Sequence, residues 1–165
     1  MTSSKTAAAK FLTVPPNLAL DFLVLFARFE SSAKALGFFD DVNQTPKVSW
    51  SKVAVCIDEG FQAKKQSDKK LSQLVDWLLK EPPKKQVVVE GEASFQSRTP
   101  TGKSETEVLL QLVARIRNNL FHGNKGFIRS DAVRDEDLLT AGLDLIHHFS
   151  VSEGRFAARF EDVIS

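Results

Sequence analysis

Along most of this chain apolar residues return every three or four positions, and that period predicts helices. Between Asn17 and Gly37 the stripe is Leu18, Phe22, Leu25, Phe26, Phe29, Ala33 and Leu36, with Leu20 and Val24 on its back. A helix apolar on more than one side predicts a central or interface position. Trp50, Val53, Ile57 and Phe61 mark a second helix over roughly 50–64. Leu71, Leu74, Val75, Leu78 and Leu79 mark a third, with Ser67 as its cap and Pro82-Pro83 beyond its end. Leu138, Leu139, Leu143, Ile146 and Phe149 mark another helix, capped by Asp131 or Asp135. Phe156, Phe160, Val163 and Ile164 form a last amphipathic piece.

The most informative helix lies between these. Ser104 and Glu107 have the spacing of a capping box, so a helix starts there. Val108, Leu109, Leu112, Val113, Ile116 and Leu120 make one apolar face, and Gly123 supplies a stop after His122. Gln111, Arg115, Asn118 and His122 fall opposite that face. A second, weaker stripe of Leu110, Ala114 and Phe121 runs beside Arg117. Two apolar flanks separated by an Arg/Asn/His edge predict burial on two sides with a polar seam between.

The breaks in the pattern set the architecture. Residues 1–16 are small and polar and end in Pro15-Pro16, which predicts a flexible tail before a single domain over 17–165. Phe38 to Ser49 reads as a loop. Residues 81–103 are the one long non-helical insert, with a candidate short β-hairpin where Val87-Val88-Val89 meets Glu90-Gly91-Glu92. The fold expected is all-α: an up-and-down bundle of five or six helices with one irregular insert.

Composition narrows the function without naming it. A chain of 165 residues suits one domain with a sizeable core. Its net charge of +1 gives no global attraction to nucleic acid or membrane, so any contact with RNA must come from a local patch. The single Cys56 excludes an internal disulfide and fits a reducing cytoplasm. No run has the length of a signal-peptide core or of a membrane span. The thirteen Phe and absent Tyr have no explanation at the level of sequence.

Several patterns hint at chemistry and fail on spacing. Asp40-Asp41 lacks a third ligand type at a fitting distance and reads as a turn or capping pair rather than a metal site. Gly102-Lys103-Ser104 before a helix resembles the end of a phosphate-binding loop, but that pattern needs Gly at position 97, where Ser97 stands. His147 and His148 are adjacent, point about 100° apart and do not readily share a ligand. Glu30, on the edge of the first stripe, has two readings: a solvated flank residue, or a carboxylate that reaches Arg117.

Arg117-Asn118-Asn119-Leu120-Phe121-His122, followed by Gly123 and Lys125, closes the motif helix. Arg, a polar residue directly after it, and His ending a six-residue span resemble the catalytic motif of HEPN-domain ribonucleases, in the Apea-like branch. The motif covers about a dozen residues, and the helical order around it covers most of the chain. The resemblance implies a metal-independent endoribonuclease of prokaryotic defence or toxin type, needing no cofactor. Arg117, Asn118 and His122 would be catalytic, with Arg115, Lys125, Arg129 and Glu30 near the substrate. It also implies a homodimer, because one Arg and one His are few for two proton transfers, and the Leu110, Ala114 and Phe121 stripe would form the interface. RNA and an antitoxin or defence-system protein are the implied partners. The alternative is a non-catalytic HEPN module that binds RNA, a nucleotide or a protein. An ideal helix sets Arg117 and His122 about 140° apart, a gap that a long side chain or an uncoiled last turn must close.

Overall fold

The computed structural model describes residues 12–121 and 132–161. Six helices and two hairpins occur among them: α1 (Pro16–Ala35), β1 (Phe39–Val42), β2 (Thr45–Val48), α2 (Trp50–Ser67), α3 (Lys69–Lys80), β3 (Lys85–Val89), β4 (Glu92–Gln96), α4 (Glu105–Phe121), α5 (Ala132–Ser150) and α6 (Gly154–Glu161). The fold is mostly helical, and the two antiparallel hairpins take it away from the purely all-α bundle the pattern predicts.

The helices form where their apolar faces can meet. α1 packs along α5, α2 along α4, and α6 against α1. Phe22, Phe26, Phe29 and Ala33 of α1 are buried among Leu145, Ile146 and Phe149 of α5 and Phe156 of α6. The centre is aromatic: the Phe29 ring lies 4.8 Å from that of Phe156 and 6.1 Å from that of Phe149, and Phe61 lies 4.8 Å from Phe149. The expectation that α1 is apolar on several sides holds only in part, because Leu20 and Val24 on its back are 60% and 52% exposed. No helix among the described residues is long and apolar enough to cross a membrane.

Local chemistry sets the boundaries. Pro16 occupies the first turn of α1, where a missing N–H costs nothing. Val14 is buried in the core, and Thr13 Oγ1 donates to Asp135 Oδ2 at 2.9 Å. Residues 12–16 therefore belong to the packed domain, which begins earlier than residue 17; residues 1–11 lie outside the described residues. At its other end α1 closes with Gly37 at φ +84°. There Gly37 N–H donates to Lys34 O, and Phe38 N–H to Ala33 O, which is the paired Schellman pattern. Asp68, not Ser67, caps α3: its carboxylate accepts from the Lys70 and Leu71 amides at 2.9 and 3.1 Å. Ser67 instead donates back to the Ala63 and Lys64 carbonyls at the end of α2. α4 starts as predicted, with Ser104 Oγ accepting from Glu107 N–H at 3.2 Å. The Glu107 carboxylate reaches back one residue further than a standard box, to the Lys103 amide.

Both hairpins turn on two residues of positive φ, Asn43-Gln44 and Glu90-Gly91, the conformation that type I′ turns require. The second is the hairpin expected inside the insert. The first replaces the loop expected over 38–49. Its turn lacks Gly and Pro46 sits within β2, so it carries neither usual signal. A two-stranded ribbon tolerates that proline on an open edge. Lys52 holds the ribbon to α2 by donating to Phe39 O and Asp40 Oδ1, both at 2.7 Å, and this pairing lowers the Asp40 pKa. Asp40 and Asp41 are thus strand residues rather than turn residues.

Candidate functional site

The motif residues divide between two sides of α4. Residues 115 and 117 lie about 200° apart on a helix, so Arg115 and Arg117 face different neighbours. Arg117 turns toward α1. Its guanidinium carbon stands 5.1 Å over the Phe26 ring centroid, and Nη2 lies 3.7 Å from Glu30 Oε2. Glu30 also takes an ion pair from Lys34 Nζ at 3.0 Å. The carboxylate of α1 therefore does reach Arg117. The Arg117 side chain is 35% exposed, so an apolar ring and a carboxylate fix it while it still meets solvent. Asn118, one residue on, is exposed.

Arg115 has a different occupation. Nη1 donates to Pro83 O at 3.1 Å and also to Arg98 O, tying both ends of the insert to α4. Partial burial lowers its pKa, and guanidinium still keeps its charge. Two residues in the same row do the same work: Gln111 Nε2 donates to Thr101 O at 3.0 Å, and Asn119 Nδ2 to Lys84 O at 2.8 Å. From α5, Arg134 donates to the Glu81 carbonyl at 2.8 Å and to its carboxylate at 3.0 Å. Two of the four residues on the polar edge read as a substrate seam, Gln111 and Arg115, thus serve with Asn119 as a rack for the 81–103 insert. Arg115 holds the insert against α4.

The apolar stripe proposed for a dimer is corrected in the same way. Leu110 is 1% exposed within the chain's own core and presents no face to a second copy, while Ala114 is half-buried against that core. Phe121 ends α4, and its side chain lies outside the described residues, as do His122, Lys125 and Arg129. What the fold brings together is Arg117, Glu30, Lys34 and the Phe26 ring, with Asn118 beside them, where α4 approaches His122 in sequence.

The clamps on the insert escaped the sequence. Gln111, Arg115 and Asn119 do recur every four residues, which is a readable signal for one helix edge. Their acceptors are backbone carbonyls, which have no side-chain signature. The segment Gly102-Lys103-Ser104 caps α4 and has no parallel sheet beside it among the described residues, so the phosphate-loop reading has no frame. His147 is exposed and His148 half-buried at the far end of α5, and burial lowers the His148 pKa. Comparison with protein-family models, with curated proteins and with solved structures returns no match.

Proposed function

We propose that the chain is a HEPN-like, metal-independent endoribonuclease whose reacting groups are Arg117, Asn118 and His122. The observation that carries this reading is Arg117: a guanidinium part-exposed, held by the Phe26 ring and Glu30, at the end of α4 that leads to His122. RNA brings its own nucleophile. The 2′-oxygen attacks phosphorus and the bond from phosphorus to the 5′-oxygen breaks. One base takes the 2′-OH proton and one acid delivers a proton to the leaving oxygen. The products are a 2′,3′-cyclic phosphate and a 5′-hydroxyl. An imidazole, with an ordinary pKa of about 6.5, suits either proton step. A guanidinium suits the charge that grows on the phosphorane oxygens. Glu30 and Lys34 act on Arg117 as positioning residues.

Two proton carriers are needed and the motif has one histidine, so the proposal includes two copies facing each other. That step rests on the count of carriers and no longer on the Leu110 stripe. Defence or toxin activity and an antitoxin-like partner belong to the same proposal. The test is incubation of purified protein with RNA in excess EDTA. Cleavage that ends in 2′,3′-cyclic phosphate and disappears in Arg117→Ala and His122→Ala supports the reading; intact RNA with folded protein overturns it.

The Glu30–Arg117 pair also favours a second reading, a non-catalytic module, because a carboxylate competes with phosphate for the guanidinium. Glu30→Gln separates the two. A purely structural pair loses stability without gaining any RNA affinity, whereas a poised Arg117 binds uncleavable RNA more tightly once its competitor is neutral.

A further inference from the structure

Most large apolar side chains that meet solvent here are scattered singly, as on any protein surface. Leu20 and Val24 differ. They stand one turn apart on α1 and are 60% and 52% exposed. Ala27 and Ser31 continue the same line and are also exposed. At about 100° per residue the four fall within about 60° of one another, an arc that holds no charged residue. The line is graded by size, with its two large side chains in the first half and its two small ones in the second. Asp21 and Arg28 border it on one side, Glu30 and Lys34 on the other. Glu30 and Lys34 pair with each other. Asp21 has no ion pair among the described residues, and Arg28 is held by the uncharged Phe160, through its carbonyl and its ring.

We propose that this face of α1 docks on the same face of a second copy of the chain, the two helices running antiparallel about a two-fold axis. The choice of occupant rests on the proposed cleavage, which is incomplete in one copy. The size gradient sets the direction. An axis between Leu25 and Phe26 places Leu20 on Ser31 and Val24 on Ala27 of the second copy, and the reverse, so large meets small at every contact. Parallel packing would set like on like and leave Ala27 and Ser31 over a gap. Charge agrees with the antiparallel sense. A two-fold axis brings like edges together, and Asp21 then stands about 3 Å along the helix direction from Arg28 of the second copy. The other edge carries Glu30 and, beside it, Arg117. Both copies of that cluster fall on one side of the pair, as a two-copy site requires, with the two Glu30 positions about 14 Å apart along the helix direction. A face about 30 Å long and about 10 Å wide offers roughly 300 Å² per copy, well under the roughly 800 Å² of a stable complex, so the association is reversible and of micromolar order.

The test is sedimentation velocity of the full chain from about 1 μM to about 500 μM. Wild type is expected to pass from monomer to dimer across that range. Leu20→Glu/Val24→Glu is expected to weaken association about tenfold or more. Its circular dichroism melt at about 1 μM, where the chain is monomeric, is expected to match wild type, because both side chains are exposed. Val24→Lys and Ala27→Glu are each expected to weaken association, and Val24→Lys/Ala27→Glu to restore it, because antiparallel packing sets each new cation against a new anion. A wild type that stays monomeric, association unchanged in Leu20→Glu/Val24→Glu, or a charge-paired double variant weaker than both single ones overturns the proposal. So does a lowered melt of the Leu20→Glu/Val24→Glu monomer, which would show the stripe covered by the chain's own residues. The nuclease reading fails separately. A wild-type dimer that needs the stripe and leaves RNA intact overturns that reading alone, and a wild-type monomer that cleaves RNA overturns the interface alone.

Discussion

Phe22, Phe29, Phe61, Phe149 and Phe156 are all fully buried, and several meet in tilted ring contacts between α1, α2, α6 and the end of α5. A hydroxyl placed there would leave water and find rings instead of acceptors, which gives physical sense to a chain with thirteen Phe and no Tyr. Phe29→Tyr is therefore expected to destabilise by about 1–3 kcal/mol, the range for a buried unpaired polar group, as measured by urea unfolding. A loss below about 0.5 kcal/mol would show that the cluster accommodates a hydroxyl. Close approach to a glycine backbone matters as much as ring contact. A Cβ on Gly142 would stand 2.6 Å from Phe22 Cε2, and one on Gly60 would stand 1.8 Å from Ser152 O. Gly142→Ala is expected to cost about 1–3 kcal/mol by overpacking and to be partly rescued by Phe22→Leu. The buried phenylalanines were legible in the sequence because their spacing follows the helix. The two glycines were not, because what excludes a side chain at either position is a neighbour distant along the chain.

Single helices show which end signals a sequence can carry. Ser104 was readable as a cap because the helix after it has a clean apolar face. At the α2–α3 elbow two neighbouring candidates, Ser67 and Asp68, compete, and only the backbone geometry decides for Asp68. The Leu71 amide and then the Lys70 amide hydrogen-bond its carboxylate, and they hold its pKa below the usual value. The sign follows: a folded pKa below the unfolded one adds stability above the unfolded pKa of about 3.9, lost as pH falls through the lower folded value. Wild type is thus expected to lose stability more steeply than Asp68→Asn as pH drops below about 4, in thermal melts at stepped pH. Parallel curves for the two would remove Asp68 from the acid response. The insert is a second case. Its hairpin turn was legible at Glu90-Gly91, but its attachment was not, since Gln111, Arg115 and Asn119 recognise carbonyls. Arg115→Ala leaves the Pro83 and Arg98 carbonyls without this donor. The expected result is faster hydrogen exchange of the Lys85–Gln96 amides while the α1 amides keep their protection. Equal loosening of both regions would make Arg115 a global rather than a local clamp.

For the whole molecule, the decisive quantity under the proposed mechanism is how many proton carriers converge on one phosphodiester. The chain has three histidines. His147 and His148 stand at the far end of α5, where His148 feels Asp68 and Lys64 of the α2–α3 elbow. That elbow meets the start of α4 through the Lys65–Glu105 pair, about 18 Å along the helix from Arg117. They are thus poorly placed to serve as the partner base or acid, and His122 lies outside the described residues. The sequence suggested a face for assembly in Leu110 and Ala114, because periodicity cannot tell a stripe covered by the chain's own helices from one left for a second copy. The need for a second carrier survives that correction. Cleavage by a two-copy site must therefore depend on association. Initial rate is expected to rise with roughly the square of protein concentration below the dimer dissociation constant and linearly above it. Light scattering should show the 18.3 kDa chain doubling its mass over the same range. A rate linear in protein throughout, from a species that stays monomeric, would place both proton steps within one chain and leave the paired-motif mechanism without a basis.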